Sequence, residues 1–133
     1  MSASSHPSDL DRVPRLRLVF GERRIVGPGR ADLLEGIAAT GSIAGAGRRM
    51  GMSYKRAWTL VEELNATFDA PLVAMSRGGS GHGGAALTEL GAEVLERYRR
   101  MRALSDAAIA QDLEALARRL GPVTDEADMA ERK

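Results

Sequence analysis

Residues 42–60 read Ser-Ile-Ala-Gly-Ala-Gly-Arg-Arg-Met-Gly-Met-Ser-Tyr-Lys-Arg-Ala-Trp-Thr-Leu, and this stretch narrows the possible folds more than any other. Two short amphipathic runs meet at Gly51, and each is preceded by a serine, Ser42 and Ser53. A serine so placed accepts a hydrogen bond from an otherwise unpaired amide two or three residues on, which marks a helix start. Ile43, Ala46, Gly47 and Met50 form one face of the first helix, and Ala57, Leu60, Val61, Leu64 and Phe68 that of the second, which should end before Pro71. Gly47 is small where the helices would cross, and Met50, Met52, Ala57 and Leu60 fill the space between them. This is the spacing of a helix-turn-helix; an ordinary helical hairpin satisfies it too, and the charge pattern decides for the former.

Residues 41–61 carry Arg48, Arg49, Lys55 and Arg56 and no carboxylate, although the whole chain has a net charge of only +1. Stepping about 100° per residue from Ala57 places Lys55 and Thr59 nearly opposite the buried face, with Arg56 and Trp58 on its flanks. In a helix-turn-helix the second helix presents its N-terminal residues to base edges in the major groove. Ser53, Tyr54, Lys55, Arg56 and Thr59 are therefore the expected base-proximal set. Arg48 and Arg49, exposed on the preceding helix, are placed to meet phosphates, which fix register without reading sequence. The amide end at Ser42 is a further phosphate candidate. Any one of these cations, taken alone, also fits a merely solvated face, and Trp58 reads as a packing residue rather than a DNA contact.

The remaining chain builds around this motif. Residues 1–14 are rich in Ser, Pro and charge and are expected to form a mobile tail. Alternation in residues 15–26 sets Leu16, Leu18 and Phe20 on one side of a half-buried strand, which Gly21-Glu22 can turn. Pro28-Gly29 opens a first helix with Leu33, Leu34, Ile37 and Ala38 at helical spacing, and Thr40-Gly41 closes it. Downstream, residues 72–75 and 85–87 are two short strands joined by a glycine-rich loop, a wing whose Arg77, Ser80 and His82 would reach the flanking backbone or the minor groove. The same loop lacks the phosphate-binding pattern of a nucleotide site, and a partnerless mobile loop is its bland alternative. Thr88 then caps a long helix whose stripe of Leu90, Val94, Tyr98, Met101, Leu104, Ala108, Ile109, Leu113, Leu116 and Leu120 runs to Gly121-Pro122. Ser105-Asp106 leaves open a break in that helix.

The expected fold is mainly α with a small β wing: a winged helix-turn-helix in residues 15–87, a long helix in 88–120, and an acidic tail in 121–133 holding Asp125, Glu126, Asp128 and Glu131. The long stripe exceeds what so small a domain can cover. Tyr98, Met101, Ile109, Leu113, Leu116 and Leu120 are thus expected to meet a second copy, with fold-back onto the core as the alternative. A two-fold dimer would set two recognition helices about 34 Å apart or a multiple of it, matching successive major grooves.

Composition removes other classes. With no cysteine there is no disulfide, thiolate nucleophile or cysteine-based zinc module, which fits a reducing cytosol. No apolar run nears the roughly 20 residues of a membrane span, and the N-terminal residues hold no signal-peptide core, so a cytoplasmic protein is expected. His6 and His82 are the only histidines and neither adjoins a carboxylate cluster, so neither a metal nor another cofactor is expected. No nucleophile with a base and no paired carboxylates can be assembled, so the chain reads as no enzyme.

The segments 33–37, 40–43 and 51–58, with the glycine-rich 78–84 followed by Ala85, Leu87, Thr88 and Gly91, resemble the N-terminal DNA-binding domain of the molybdate-responsive (ModE-like) transcriptional regulators. The winged domain of LysR-type regulators is similar at greater distance. The resemblance covers about residues 15–98 and implies a homodimeric transcription factor that binds duplex DNA. In the full-length family molybdate binds in C-terminal domains of small β-barrel type, to which nothing in this sequence corresponds, so molybdate sensing is not carried over. An unidentified effector or partner protein remains a possible signal source. Two further readings compete: a protein-interaction module built on the winged fold, and a direct oxyanion or ligand sensor.

Overall fold

The computed structural model describes residues 16–77 and 83–122. Two strands, β1 (Leu18–Phe20) and β2 (Arg23–Val26), precede three helices, α1 (Pro28–Thr40), α2 (Ile43–Met50) and α3 (Tyr54–Thr67). A second pair of strands, β3 (Val73–Arg77) and β4 (Gly83–Leu87), leads into helix α4 (Glu89–Ala117). Both strand pairs are antiparallel two-stranded sheets. Of the described residues, 16–102 form one compact unit, and 103–122 belong to a second. The order is that of a winged helix-turn-helix.

Local chemistry explains each boundary. Pro28 starts α1, where a missing amide costs nothing, and Gly41 ends it in the left-handed conformation at φ 76°, donating its N–H to the Ile37 carbonyl at 2.8 Å. Ser42 Oγ accepts from the Gly45 amide at 2.8 Å and Ser53 Oγ from the Arg56 amide at 3.1 Å, so both serines cap as their positions predict. Gly51, at φ 71°, lets the Met52 N–H reach back to the Gly47 carbonyl at 2.9 Å and close the turn. Thr88 Oγ1 accepts from the Gly91 amide at 3.0 Å and donates to the Pro71 carbonyl at 2.7 Å, capping α4 while tying it to the start of the wing.

The core gathers Leu33, Leu34 and Ile37 of α1, Ala46 of α2, Ala57, Val61 and Leu64 of α3, and Leu72, each with no exposed surface. Burying a side chain of this size contributes about 1.5–3 kcal/mol, so these residues supply most of the drive for the three helices to pack. Helices α1 and α2 approach closely at Gly36, where a Cβ would meet Ala46 Cβ at 3.0 Å; Gly47, singled out by spacing, faces Ala57 Cβ at a looser 3.3 Å.

Several expectations are corrected. Gly21-Glu22 does turn the segment 15–26 into a hairpin, but Phe20 is 72% exposed rather than aligned with half-buried Leu16 and Leu18. The register shift between Leu18 and Val19 interrupts the alternation, so the two-residue period does not carry to the hairpin tip. Ala38 is exposed; the buried face of α1 runs through Gly36 instead. The wing strands are longer than the apolar runs implied, because Ser76 and Arg77 pair with Gly84 and Gly83 in the ladder. Helix α4 passes through Ser105-Asp106 and ends at Ala117, leaving Leu120 in the turn that follows.

Tyr98 is the largest correction. It was expected on the surface that meets a second copy, but it is 2% exposed in this chain's own core, and its hydroxyl donates to the Leu16 carbonyl at 2.8 Å. A buried tyrosine needs such a partner for its hydroxyl. The bond pins the chain entering β1 to α4. Leu95, absent from the expected stripe, joins it at 4% exposure.

Candidate nucleic-acid interface

Lys55 and Arg56 stand on the first turn of α3 and Arg48 and Arg49 on the last turn of α2; all four are exposed. Among the described residues none of them forms an ion pair with a carboxylate. The core beneath explains the exposure: Ala57, Val61 and Leu64 turn one side of α3 inward and so force Lys55 and Thr59 outward. Tyr54 is 55% exposed beside them. Thr59 Oγ1 donates to the Lys55 carbonyl at 3.0 Å, which holds the rotamer of this exposed side chain.

Two hollows flank this ridge. One, of about 580 Å³, lies on the wing side and is lined by Ser42, Arg48, Tyr54, Trp58, Met75 and Ser76 among others. Half-buried Trp58 forms part of its wall while packing on the core, in keeping with a packing role. The other, of about 660 Å³, lies on the side of the N-terminal hairpin and includes Arg56, Thr59 and Leu60. Ser42 is half-buried at the amide end of α2, with its hydroxyl already accepting from Gly45. Arg48 and Arg49, being at the C-terminal end of α2, also stabilise that helix through its dipole, so their charge serves the fold whatever else it meets.

Arg77 is the last residue of β3. Ser80 and His82, the proposed wing-tip contacts, lie outside the described residues. The base of the wing is firmly placed: the Ala85 amide donates to the Gly41 carbonyl at 2.9 Å, joining β4 to the turn between α1 and α2.

A residue that periodicity did not single out ties the wing to α3. Asn65 Oδ1 accepts from the amides of Leu72 and Val73 at 2.8 and 3.0 Å, and its Nδ2 donates to the Val73 carbonyl at 3.2 Å. The only available signal was an amide side chain near the end of an amphipathic helix, seven residues before a strand. Asn65→Ala leaves two amides and a carbonyl without these partners in a half-buried setting. It is expected to cost about 2 kcal/mol, read as a lowered midpoint in urea unfolding at unchanged m-value.

Surrounding this site, the described residues contain no group of three or more metal-binding side chains and no helix long and apolar enough to cross a membrane. A trihelical body with a capped turn and a two-stranded wing, carrying a cationic ridge free of ion pairs among the described residues, is the architecture of a winged helix-turn-helix. Residues 30–92 match the bacterial regulatory helix-turn-helix proteins of the LysR family, a family of regulators and not of enzymes. The chain is 49% identical over 73 residues to the molybdenum-pterin-binding protein MopA of Rhodobacter capsulatus, covering 55% of this chain and 28% of that protein. It is 37% identical over 83 residues to the DNA-binding transcriptional dual regulator ModE of Escherichia coli K12, covering 62% and 32%. With the molybdenum transport protein ModE of Azotobacter vinelandii it shares 36% identity over 95 residues, covering 71% and 34%. The chain thus spans about a third of the length of these relatives. Over that third it is similar to the ModE-like regulators.

Proposed function

We propose that this chain is a transcriptional regulator that binds duplex DNA sequence-specifically as a homodimer, with α3 in the major groove and the wing on the flanking backbone or minor groove. The observation that carries the reading is the exposed, carboxylate-free ridge of Lys55, Arg56 and Thr59 at the start of the second helix of the helix-turn-helix, the helix that such motifs lay in the major groove. Arg48, Arg49 and the Ser42 end of α2 are assigned to phosphates, Ser53 and Tyr54 to the groove edge, and Arg77, Ser80 and His82 to the wing contact. The E. coli relative is named as a DNA-binding regulator, which supports the DNA-binding reading as a whole. The names of the relatives tie them to molybdenum, and the present proposal concerns the DNA-binding third alone.

Support for the dimer is the apolar surface of α4 and the turn after it. Met101, Ile109, Leu116 and Leu120 are 39%, 40%, 66% and 53% exposed, Leu104 is 64% exposed, and Leu113 is half-buried. Exposed leucines and isoleucines at helical spacing gain stability by meeting their like on a second copy. Tyr98 is withdrawn from this set, since the core already holds it.

The test is fluorescence anisotropy on a short duplex across a salt series, with sedimentation equilibrium in parallel. Binding should weaken by orders of magnitude between about 50 and 200 mM salt, as counterion release requires. Ile109→Glu with Leu116→Glu should convert a dimer to a monomer while leaving the secondary structure intact. A purified chain that ignores duplex at low salt defeats the DNA assignment, and a monomeric parent chain defeats the dimer.

A further inference from the structure

The hollow between the N-terminal hairpin and α3 has a charge pattern that the helix-turn-helix does not account for. Four arginines line it, Arg17, Arg24, Arg30 and Arg56, against one carboxylate, Glu63. That carboxylate is already engaged: Arg30 Nη2 donates to Glu63 Oε1 at 3.1 Å, while Arg30 Nη1 donates to the carbonyls of Arg24 and Ile25 at 3.0 and 3.5 Å. Arg30, only 18% exposed in its side chain, therefore braces the hairpin to α3 along the wall of the hollow. On the far side of the hairpin Arg23 Nη2 donates to the Thr67 carbonyl at 2.6 Å, a second brace between the same two elements.

Arg17, Arg24 and Arg56 are left exposed, and among the described residues none of them is paired with a carboxylate. Arg17 lies along Gly27, where a Cβ would make an ordinary contact with its Cγ and Nη1, each at 3.6 Å. Three like charges held about one hollow repel one another, and a chain gains nothing in stability from keeping them there. An anion relieves that repulsion, and a guanidinium cluster matches the oxygens of a phosphate in geometry as well as charge.

We infer that this hollow is a phosphate site, filled by the DNA backbone, and that Arg17 and Arg24 extend the DNA-binding face onto the N-terminal hairpin. The inference rests on the DNA-binding reading and adds to it a second backbone contact. Since the major groove is about 12 Å wide, a helix seated in it has one strand's phosphates on each flank. The wing-side hollow with Arg48 takes one strand, and the hairpin-side hollow with Arg17 and Arg24 takes the other, while Arg56 between them faces the bases.

The experiment compares the full chain with Arg17→Gln/Arg24→Gln on a short random-sequence duplex, by anisotropy against salt. Each lost phosphate contact should make the slope of log K against log salt shallower by about 0.9. The double variant is expected to lose between one and two such contacts and on the order of 10-fold in low-salt affinity, with sequence preference unchanged. Arg17→Lys/Arg24→Lys should recover most of the slope. If circular dichroism shows the glutamine pair misfolded, Arg24→Glu alone is read instead, because Arg30 binds the Arg24 carbonyl and not its side chain. A variant with the parent's slope and affinity overturns the inference and leaves the DNA reading standing. Inorganic phosphate that raises the melting temperature of the parent but not of the variant, with duplex affinity unmoved, also overturns it and assigns the hollow to a free anion. A parent chain that binds no duplex removes the DNA reading and this inference together.

Discussion

Lys55→Ala/Arg56→Ala should abolish sequence preference, lowering affinity for a selected duplex on the order of 100-fold or more while the protein stays folded. Each side chain that donates well to guanine N7 and O6 contributes about 1–3 kcal/mol of discrimination, and about 1.4 kcal/mol is a factor of ten. The loss of two such groups therefore outweighs any change that exposed positions make to stability, which is usually within about 0.5 kcal/mol. Both side chains are exposed and belong to no ion pair among the described residues, so the fold has nothing to lose with them. The measurement is anisotropy on a duplex enriched from a random pool by the parent protein, beside a scrambled duplex. Equal losses on the two duplexes would reassign both residues to phosphate contact, and no loss on either would remove them from the interface.

Gly91→Ala is expected to be the most damaging one-methyl change in the molecule, lowering stability by about 3 kcal/mol. A Cβ at position 91 would fall on the carbonyl oxygen of Leu72, and that carbonyl cannot retreat, because it accepts the Thr88 amide at 2.9 Å and belongs to a residue with no exposed surface. Alanine improves on glycine inside a helix by about 1 kcal/mol, and the overlap with backbone exceeds that gain. Thermal unfolding should show the midpoint falling by roughly 10 °C or more. An unchanged or raised midpoint would mean that α4 slides along the wing at little cost, contrary to the Thr88 and Leu72 hydrogen bonds.

Much of the domain was legible because its signals are local. Ser42, Ser53, Thr88, Gly41 and Gly51 announce helix ends through capping geometry that depends on neighbours one to four residues away, and each behaves as its position implies. The inward and outward sides of α2 and α3 follow from the 3.6-residue period, so the cationic ridge could be read before any coordinates. What escaped was long-range. Asn65 meets Leu72 and Val73 only once α3 and the wing strand come together, and Arg30 reaches Glu63 across 33 positions. Tyr98 was misplaced for the same reason: the stripe on α4 is apolar from end to end, and its spacing does not say which part the domain covers and which it leaves exposed.

By itself the sequence determined where the helices start, where α1 and α2 stop, and which residues face in and out on α2 and α3, because capping and periodicity act over a few residues. Only the tertiary structure decided that the N-terminal hairpin braces α3 through Arg30 and Arg23, that Gly91 must stay small beneath Leu72, and that Tyr98 belongs to the core. These depend on atoms many positions apart in the chain meeting at one place. No pattern of spacing encodes that meeting; it emerges when the apolar faces close on one another and the backbone polar groups they trap must find partners.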